Sequence, residues 1–119
     1  LYVNNEKPMV DENAGLKEVI VENSEKRLGI TAVVNSANEL SGIITDGDLR
    51  RMLEKNDSLQ GVKATDIMTT HPRTVSADAL AVEALDLLRT YDITQLAVVD
   101  GRKYLGIIHL HDLVREGLI

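Results

Sequence analysis

The sequence contains no cysteine, no phenylalanine and no tryptophan. Without cysteine, disulfide bridges, thiolate nucleophiles and thiolate metal ligands are all excluded. The phenol rings of three tyrosines are too few to suggest a platform on which nucleic-acid bases stack. No apolar run approaches the ~20 residues that a membrane-spanning helix needs, and no charged-then-apolar segment resembles a secretory signal. These absences predict a cytoplasmic protein without a membrane partner.

Clustered positive charge is also missing. The net charge of the 119 residues is −6, whereas proteins that bind nucleic acids contact phosphates through groups of Lys and Arg. The pair Arg50-Arg51 lies between acids such as Asp48 and Glu54, which favours a solvated helix face. A hydrophobic content of 44% is enough for a core, so the chain is expected to fold as one small domain or as two very small ones.

The chain repeats itself. A shift of 64 residues places Leu16 on Leu80 and aligns Gly42–Leu49 with Gly106–Leu113. Around the middle strand the register slips, and we align Ile30-Thr31 with Ile93-Thr94, which one insertion or deletion in a hairpin and a compensating one would explain. Two copies of one supersecondary unit are therefore expected.

The second copy has the clearer pattern. Its elements are predicted as a strand at Thr74-Val75, a helix from a Ser76 cap to Tyr91, strands at Leu96–Val99 and Tyr104–Ile108, and a helix from Leu110 to Glu116. In the first of these helices, apolar side chains recur at three- and four-residue steps: Leu80, Ala84, Leu87, Leu88 and Tyr91. Asp100-Gly101 between two β-rich runs is typical of a tight hairpin turn.

The first copy follows the same order. We predict a strand at Met9-Val10, a helix over Leu16–Leu28 with Leu16, Val19, Ile20 and Leu28 inward, strands at Thr31–Asn35 and Leu40–Thr45, and a helix over Asp48–Lys55. The predicted fold is α+β, with two β-α-β-β-α repeats packed sheet to sheet about a pseudo-twofold axis, because one repeat is too small to bury its apolar face alone. The predicted division is 1–56, a connector over 57–72 with a helical turn near Thr65–Met68, and 73–119.

These repeats resemble the CBS domain pair, or Bateman module. The resemblance is carried by Gly42–Leu49, by Gly106–Leu113, and by Asp66-Ile67-Met68-Thr69 with Pro72. The segments 45–51, 81–85 and 109–113 are similar to the C-terminal CBS pair of bacterial arabinose 5-phosphate isomerases. The resemblance implies that a sugar isomerase (SIS) domain precedes this chain and performs the catalysis, that the chain itself is a non-catalytic regulatory module, and that CBS pairs associate as homo-oligomers, here a dimer.

The resemblance also implies a ligand site, usually for an adenosine-type nucleotide in the cleft between the repeats. Asp48 and Asp112 would accept hydrogen bonds from ribose hydroxyls, and Thr45 at a helix start would contact phosphate. The base would lie against the isoleucines Ile43, Ile30 and Ile107. Thr74 would complete the Asp48 site and Met9-Val10 the Asp112 site, where His109 replaces the hydroxyl residue. An adenine nucleotide (AMP or ATP) and a cytidine ligand of the CMP or CMP-Kdo type both remain open.

Several residues have simpler interpretations. Asp48 and Asp112 would each stabilise a first helical turn as acids near its positive end. His109 and His111 are two residues apart, but two ligands do not complete a metal site, so structural or phosphate-facing roles are favoured. No nucleophile, phosphate loop or metal-binding helix motif is recognisable. A CBS pair that has lost its ligand and only supports oligomerisation is the alternative to a sensor.

Overall fold

The structure, a computed structural model, describes residues 7–55, 59–115 and 117. In the first half, the elements are β1 (Met9–Asp11), α1 (Leu16–Lys26), β2 (Ile30–Val34), β3 (Leu40–Thr45), α2 (Asp46–Lys55), α3 (Ala64–Ile67) and β4 (Thr69–Thr70). In the second half, they are β5 (Thr74–Ser76), α4 (Ala81–Thr90), β6 (Gln95–Asp100), β7 (Lys103–His109) and α5 (Leu110–Arg115). The predicted α+β class and the β-α-β-β-α order of both repeats are confirmed.

Each repeat builds its own sheet. The first sheet has the order β1-β2-β3-β4 and the second has the order β5-β6-β7. In each repeat the opening strand runs parallel to the next strand, which pairs antiparallel with the third. The predicted connector 57–72 contains α3 and β4, and β4 pairs with β3. The division of the chain into 1–56, 57–72 and 73–119 stays a prediction.

The structure corrects the alignment of the repeats. Met9 of β1 and Thr74 of β5, which are 65 residues apart, pair with Ala32 and Ala97, which are also 65 apart. The predicted alignment of Ile30-Thr31 with Ile93-Thr94 is therefore wrong, because Ile30 corresponds to Gln95. The predicted match of Leu16 with Leu80 is wrong as well, because Leu16 begins α1 and Ala81 begins α4. The offset falls to 64 within the hairpin, because the paired residues Val34 and Leu40 are six positions apart, whereas their equivalents Val99 and Tyr104 are five apart.

The two sheets face each other across a shared apolar layer. Buried side chains from both repeats form one cluster: Ile30, Ala32, Val34, Ala97, Tyr104 and Ile107. Tyr104 is fully buried, and its hydroxyl donates a hydrogen bond to the Pro8 carbonyl at 2.8 Å. Burial raises the pKa of the Tyr104 phenol, which therefore stays a donor.

Two backbone hydrogen bonds join the β2–β3 and β6–β7 hairpins. Leu40 N–H donates to Arg102 O at 2.9 Å, and Tyr104 N–H donates to Asn38 O at 3.0 Å. Donors and acceptors in these two bonds correspond under the 64-residue offset, so each bond is the pseudo-twofold image of the other. This arrangement fixes the two repeats relative to each other.

Five details of the predicted helices are wrong. Ser76 does not cap α4, because it ends β5 and its Oγ accepts a hydrogen bond from Asp78 N–H, while α4 begins at Ala81. Leu80 and Tyr91 are exposed rather than inward, and so is Ile20 on α1. The helix α2 begins at Asp46, two residues earlier than predicted. In each case local periodicity does not reveal which residues the neighbouring sheet covers.

Candidate functional site: the helix starts and the cleft between the repeats

The start of α2 is held by a reciprocal pair of hydrogen bonds. Thr45 immediately precedes the helix, and its Oγ1 accepts from Asp48 N–H at 3.1 Å. The Asp48 carboxylate accepts in return from Thr45 N–H at 3.0 Å. This is a capping box, in which the two side chains satisfy amide groups that a helix start leaves without intrahelical partners. The predicted pair Thr45 and Asp48 therefore has a structural role in the fold.

Asp48 has two further partners. The hydroxyl of Thr69 in β4 lies 3.1–3.2 Å from both carboxylate oxygens, and Arg51 Nη2 lies 2.6 Å from Oδ1. The Asp48 side chain is only 9% exposed, whereas that of Arg51 is 56% exposed. A hydroxyl of a ligand would compete with these donors for the two carboxylate oxygens. The exchange of one hydroxyl for another, at Thr69, has the smaller energetic cost.

The second repeat starts α5 with different chemistry. Asp112 accepts from His109 N–H at 2.8 Å, as Asp48 does from Thr45. His109 does not return the bond, because its Nδ1 accepts from His111 N–H at 3.0 Å instead. The rings of His109 and His111 stack with centroids 4.6 Å apart. Asp112 is 27% exposed, and its other partner is the exposed Arg115 at 3.2 Å.

The ionisation of His109 is tuned by this environment. Burial lowers its pKa first, and the neighbouring His111 lowers it further, while Asp112 acts in the opposite direction. A neutral ring is required for Nδ1 to accept the His111 amide. The second helix start is therefore sensitive to pH, whereas the Thr45 hydroxyl of the first is not.

A cleft of about 470 Å³ lies between the repeats, on the side of β4 and β5. Both repeats contribute to its lining: Asn35, Glu39, Leu40, Ser41, Thr70, His71, Pro72, Thr74, Val99, Gly101 and Arg102. Its volume falls in the range of small-molecule sites. Polar groups from Ser41, Thr70 and Thr74, the acid Glu39 and the base Arg102 line the same space. Such a lining suits a polar, charged ligand.

The predicted site residues are only partly brought together. Thr74 lines the cleft, and Asp48 is connected to it through Thr69, which adjoins the lining residue Thr70. Ile43 is half-buried beside the layer between the sheets, in which Ile30 and Ile107 are fully enclosed. The lining includes none of Thr45, Asp48, His109 and Asp112.

The pseudo-twofold places His109 and Asp112 at the equivalent end of the second repeat. The residues that precede β1 as Thr69-Thr70 precede β5 are numbers 4 and 5, which lie outside the described residues. Met9 of the predicted second site is exposed, and Val10 is buried. A second site is therefore only partly described.

Sequence reasoning missed three residues here. Thr69 was part of the segment Asp66–Thr69 that carried the resemblance, but its contact with Asp48 depends on β4 pairing with β3. Glu39 and Arg102 lie in the two hairpins, which come together only because the repeats face each other. The residues of the two hairpins do not by themselves indicate that the hairpins meet.

The repeated geometry agrees with a comparison against protein families. The model of the CBS domain matches the chain twice, over residues 3–55 and 64–118. The chain belongs to the CBS domain family. Its two matched segments cover both β-α-β-β-α repeats, so the chain is a CBS domain pair.

Among characterised relatives, the CBS pair is similar to arabinose 5-phosphate isomerase KdsD. It is 37% identical to the protein of Yersinia pestis and 36% identical to that of Escherichia coli K12, in each case over all 119 residues. It is also 41% identical over 111 residues to the uncharacterised protein RP505 of Rickettsia prowazekii. The chain spans only 36% of the length of the KdsD proteins and 34% of RP505.

Solved CBS structures share the fold. An acetoin utilization protein (AcuB) from Vibrio cholerae superposes with a TM-score of 0.83 at 19% identity, covering 99% of this chain and 92% of that one. CBSX2, solved with AMP, gives a TM-score of 0.81 at 23% identity over 99% and 92% of the two chains. PAE2072 of Pyrobaculum aerophilum, also solved with AMP, gives 0.80 at 22% identity over 93% and 86%.

The described part of the chain also shows no metal centre and no membrane-spanning helix. Within residues 7–55, 59–115 and 117, no three His, Asp or Glu side chains are grouped so that they could hold a metal ion. In that part of the chain, no helix has the length and apolarity needed to cross a bilayer.

Proposed function

We propose that this CBS pair binds a nucleotide or nucleotide-sugar in the cleft between its repeats and thereby regulates an attached arabinose 5-phosphate isomerase domain. The observation that carries the proposal is the cleft itself, which is polar, is formed by both repeats and adjoins the Asp48 helix start. The AMP complexes of CBSX2 and PAE2072 support an adenine nucleotide. A cytidine ligand such as CMP-Kdo is the second candidate, as the activated end product of the lipopolysaccharide pathway that the isomerase would serve.

The roles of the residues follow from their positions. Thr74 and Thr70 would contact the ligand directly, and Arg102 would offset negative charge on phosphate. Asp48 would bind the ribose after its bond to the Thr69 hydroxyl is exchanged for a ribose hydroxyl. Thr45 would contact phosphate, Ile43 would lie against the base, and Asp112 with His109 would form the weaker, second site.

Regulation requires a difference between two arrangements. A ligand changes the activity of an attached domain only if it binds one packing of the two repeats more tightly than another. Because the cleft is lined by both hairpins and by β4 and β5, its occupant contacts both repeats and would respond to their relative position. The similarity to KdsD over the whole chain supports an isomerase as the regulated domain. Such a module would act in the cytoplasm and would itself catalyse no reaction.

Thermal unfolding with a panel of AMP, ATP, CMP and CMP-Kdo tests the binding. A ligand at 100 times its Kd adds about 2.7 kcal/mol to the free energy of unfolding. We expect a shift of the midpoint for wild type and a much smaller shift for Asp48→Asn, which keeps the shape of the cap but loses the charge. The matched variant Asp112→Asn keeps the response of the first site.

A ligand-free scaffold is the alternative function. It is favoured by the partners of Asp48, whose carboxylate is already bonded to Thr45, Arg51 and Thr69. If no nucleotide of the panel shifts the unfolding of the wild type, the sensor proposal is wrong and the scaffold remains. As the family resemblance implies, we also propose that two copies associate, which either function permits.

A further inference from the structure

The core of the first repeat is polar at one corner where the core of the second is apolar. Thr31 of β2 is fully buried, and its Oγ1 donates a hydrogen bond to Asn23 Oδ1 of α1 at 3.1 Å. Asn23 Nδ2 donates in turn to a carboxylate oxygen of Asp46, the first residue of α2, at 2.6 Å. These three residues are here called the polar corner. The equivalent positions of the second repeat carry leucines that pack in its core: Leu88, Leu96 and Leu110.

Packing alone does not require the polar corner. The two helix starts make the same backbone contact, because Asp46 N–H donates to Gly29 O at 3.1 Å and Leu110 N–H donates to Thr94 O at 2.8 Å. The second repeat therefore shows that apolar side chains fill these positions on this backbone. Replacing both partners of a buried hydrogen bond by apolar groups of similar shape is nearly neutral for stability or even favourable. The stability of the fold does not account for the polar residues of the first repeat.

The second repeat contacts the first at this corner. Gln95 Nε2 of β6 donates a hydrogen bond to Leu28 O, in the turn between α1 and β2, at 2.7 Å. The next residue is Gly29, with φ +74°, and a Cβ atom there would lie 3.1 Å from Gln95 Nε2 and 3.4 Å from Asp46 Oδ2. Glycine thus allows the amide of one repeat and the carboxylate of the other to approach the same turn. At the opposite corner the place of Gln95 is taken by Ile30, whose side chain cannot donate, so this polar contact between the repeats marks the start of α2.

The polar corner accompanies the intact helix-start motif. Asp46 lies between Thr45 and Asp48, whose side chains cap α2 reciprocally. In the second repeat, where His109 replaces the hydroxyl residue, the first residue of the helix is Leu110. One chain therefore contains the complete motif with a polar corner and the altered motif with an apolar one. The polar residues follow the chemistry of the helix start, and not the fold that both repeats share.

We propose that Asn23 is a positioning residue for the nucleotide site. Held by its bond from Thr31, it fixes Asp46 and therefore the first turn of α2, which presents Thr45 and Asp48 to the ligand. The inference rests on the proposed nucleotide binding and adds the residue that prepares the helix start for it. Asn23 acts through Asp46 and does not touch the ligand. Because Thr45 and Asp48 serve phosphate and ribose, which adenine and cytidine nucleotides share, the effect of the polar corner is the same for both bases.

An apolar copy of the corner tests the proposal. Asn23→Leu and Thr31→Val in one protein remove both partners of the buried hydrogen bond with little change in volume. Without ligand, the unfolding midpoint is expected within about 2 °C of the wild-type value. In titration calorimetry, however, the Kd of each nucleotide that wild type binds is expected to rise about tenfold, whichever its base. A variant that loses stability but keeps the wild-type Kd would show a purely structural network and overturn the proposal.

The exposed Asp46 provides a matched pair of variants that leaves the core unchanged. Asp46→Leu removes the oxygen that accepts from Asn23 Nδ2, whereas Asp46→Asn keeps an accepting carbonyl oxygen, and both remove the same charge. Asp46→Asn is expected to bind the nucleotide about fivefold more tightly than Asp46→Leu. Glu25→Leu, an exposed change of the same kind on α1, is the control and should leave the wild-type Kd unchanged. Equal Kd values for Asp46→Leu and Asp46→Asn would show that the bond to Asn23 does not position the site.

A double-mutant cycle with Asp48→Asn separates positioning from stability. If the corner acts through the helix start, the combined loss of affinity is smaller than the sum of the losses from Asp48→Asn and from the apolar corner. Additive losses would contradict the proposal, because the corner would then affect the ligand independently of Asp48. The wild type tests the proposed function itself. If it binds no nucleotide, both proposals are wrong, whereas binding that the apolar corner leaves unchanged overturns only this one.

Discussion

The two repeats begin their final helices with the same backbone and different side chains. In the first, Thr45 and Asp48 bond each other's amides, and β4 and α2 add further donors to the carboxylate. In the second, the Asp112 carboxylate accepts from His109 N–H, as Asp48 does from Thr45 N–H. The His109 ring, however, accepts from His111 N–H and not from Asp112 N–H. The Asp48 carboxylate at the first helix start is buried. The second helix start is more exposed, and its His109 ring can be protonated. A repeated fold thus leaves each copy free to take a separate role.

The layer between the sheets is where substitutions at equivalent positions of the two repeats are expected to differ most in their effect on the free energy of unfolding. Tyr104 and Leu40 are equivalent under the 64-residue offset, but Tyr104 is fully buried and Leu40 is only half-buried. Tyr104→Ala should lower the free energy of unfolding by about 4 kcal/mol, since it leaves a large cavity and removes the hydroxyl bond to the Pro8 carbonyl, which keeps only its bond from Ala32 N–H. Leu40→Ala should cost about 1–2 kcal/mol.

Urea unfolding followed by circular dichroism measures both losses. Tyr104→Phe is the control that keeps the ring and removes only the hydroxyl bond to Pro8, so its cost should be about 1 kcal/mol. Equal losses for Tyr104→Ala and Leu40→Ala would mean that the two repeats share the layer evenly, against the observed burial.

The second largest difference in stability loss is expected between substitutions of the two capping aspartates, Asp48 and Asp112. Asp48→Ala is expected to cost about 2 kcal/mol, because it removes a cap and leaves the Thr69 hydroxyl without this acceptor. Asp112→Ala should cost about 0.5–1 kcal/mol, because its carboxylate is more exposed and its ion pair with Arg115 lies at the surface. Chemical unfolding of both variants in parallel checks the order, and a larger loss for Asp112→Ala would reverse our comparison.

Replacing His109 should make the second helix start resemble the first. His109→Thr places a hydroxyl where Thr45 has one and allows the reciprocal bond to the Asp112 amide. We expect a gain of about 0.5 kcal/mol in the free energy of unfolding. The same measurement on Thr45→Val, which removes the hydroxyl from the first repeat, serves as the opposite case and should show a loss. A loss for His109→Thr would indicate that the stacked histidines stabilise α5 more than a capping box does.

The smallest effect is a dependence on pH. The pKa of His109 is lowered in the folded protein from the ordinary value of 6.5, so the unfolded chain binds a proton at a higher pH than the folded one does. The stabilising contribution of neutral His109 is therefore complete above pH 6.5 and is lost as the pH falls through the folded pKa. Comparing unfolding midpoints of wild type and His109→Thr from pH 7.5 to 5 isolates this loss, which should be absent from the variant.

Much of the fold could be predicted from local residues. The alternation of apolar runs with Asp100-Gly101, and the repeated Gly-Ile-Ile segments, led to the observed order of strands and helices. The ends of the helices were less predictable, because Ser76 has the chemistry of a cap but is held in β5 by its pairing with β6. The predicted match of Ile30 with Ile93 failed for a related reason: identity of residue type was a weaker guide than the strand pairing that places Gln95 there.

The candidate site was predictable only in part. Thr45, Asp48 and Thr74 were predicted as site residues from the resemblance to the CBS family. The structure places Thr74 in the lining of the cleft, whereas Thr45 and Asp48 lie outside that lining and cap the start of α2. Glu39 and Arg102 could not be found, since each is an ordinary residue of a hairpin until the two hairpins meet.

The sequence by itself determined two copies of one β-α-β-β-α unit, the capping residues of their last helices, and the absence of thiol chemistry. These features depend on residues that are close along the chain. Only the tertiary structure decided that Thr69 bonds Asp48 and that a polar cleft opens between the repeats. Each of these depends on distant segments packing together, and local hydrogen bonding and hydrophobic periodicity do not encode that packing.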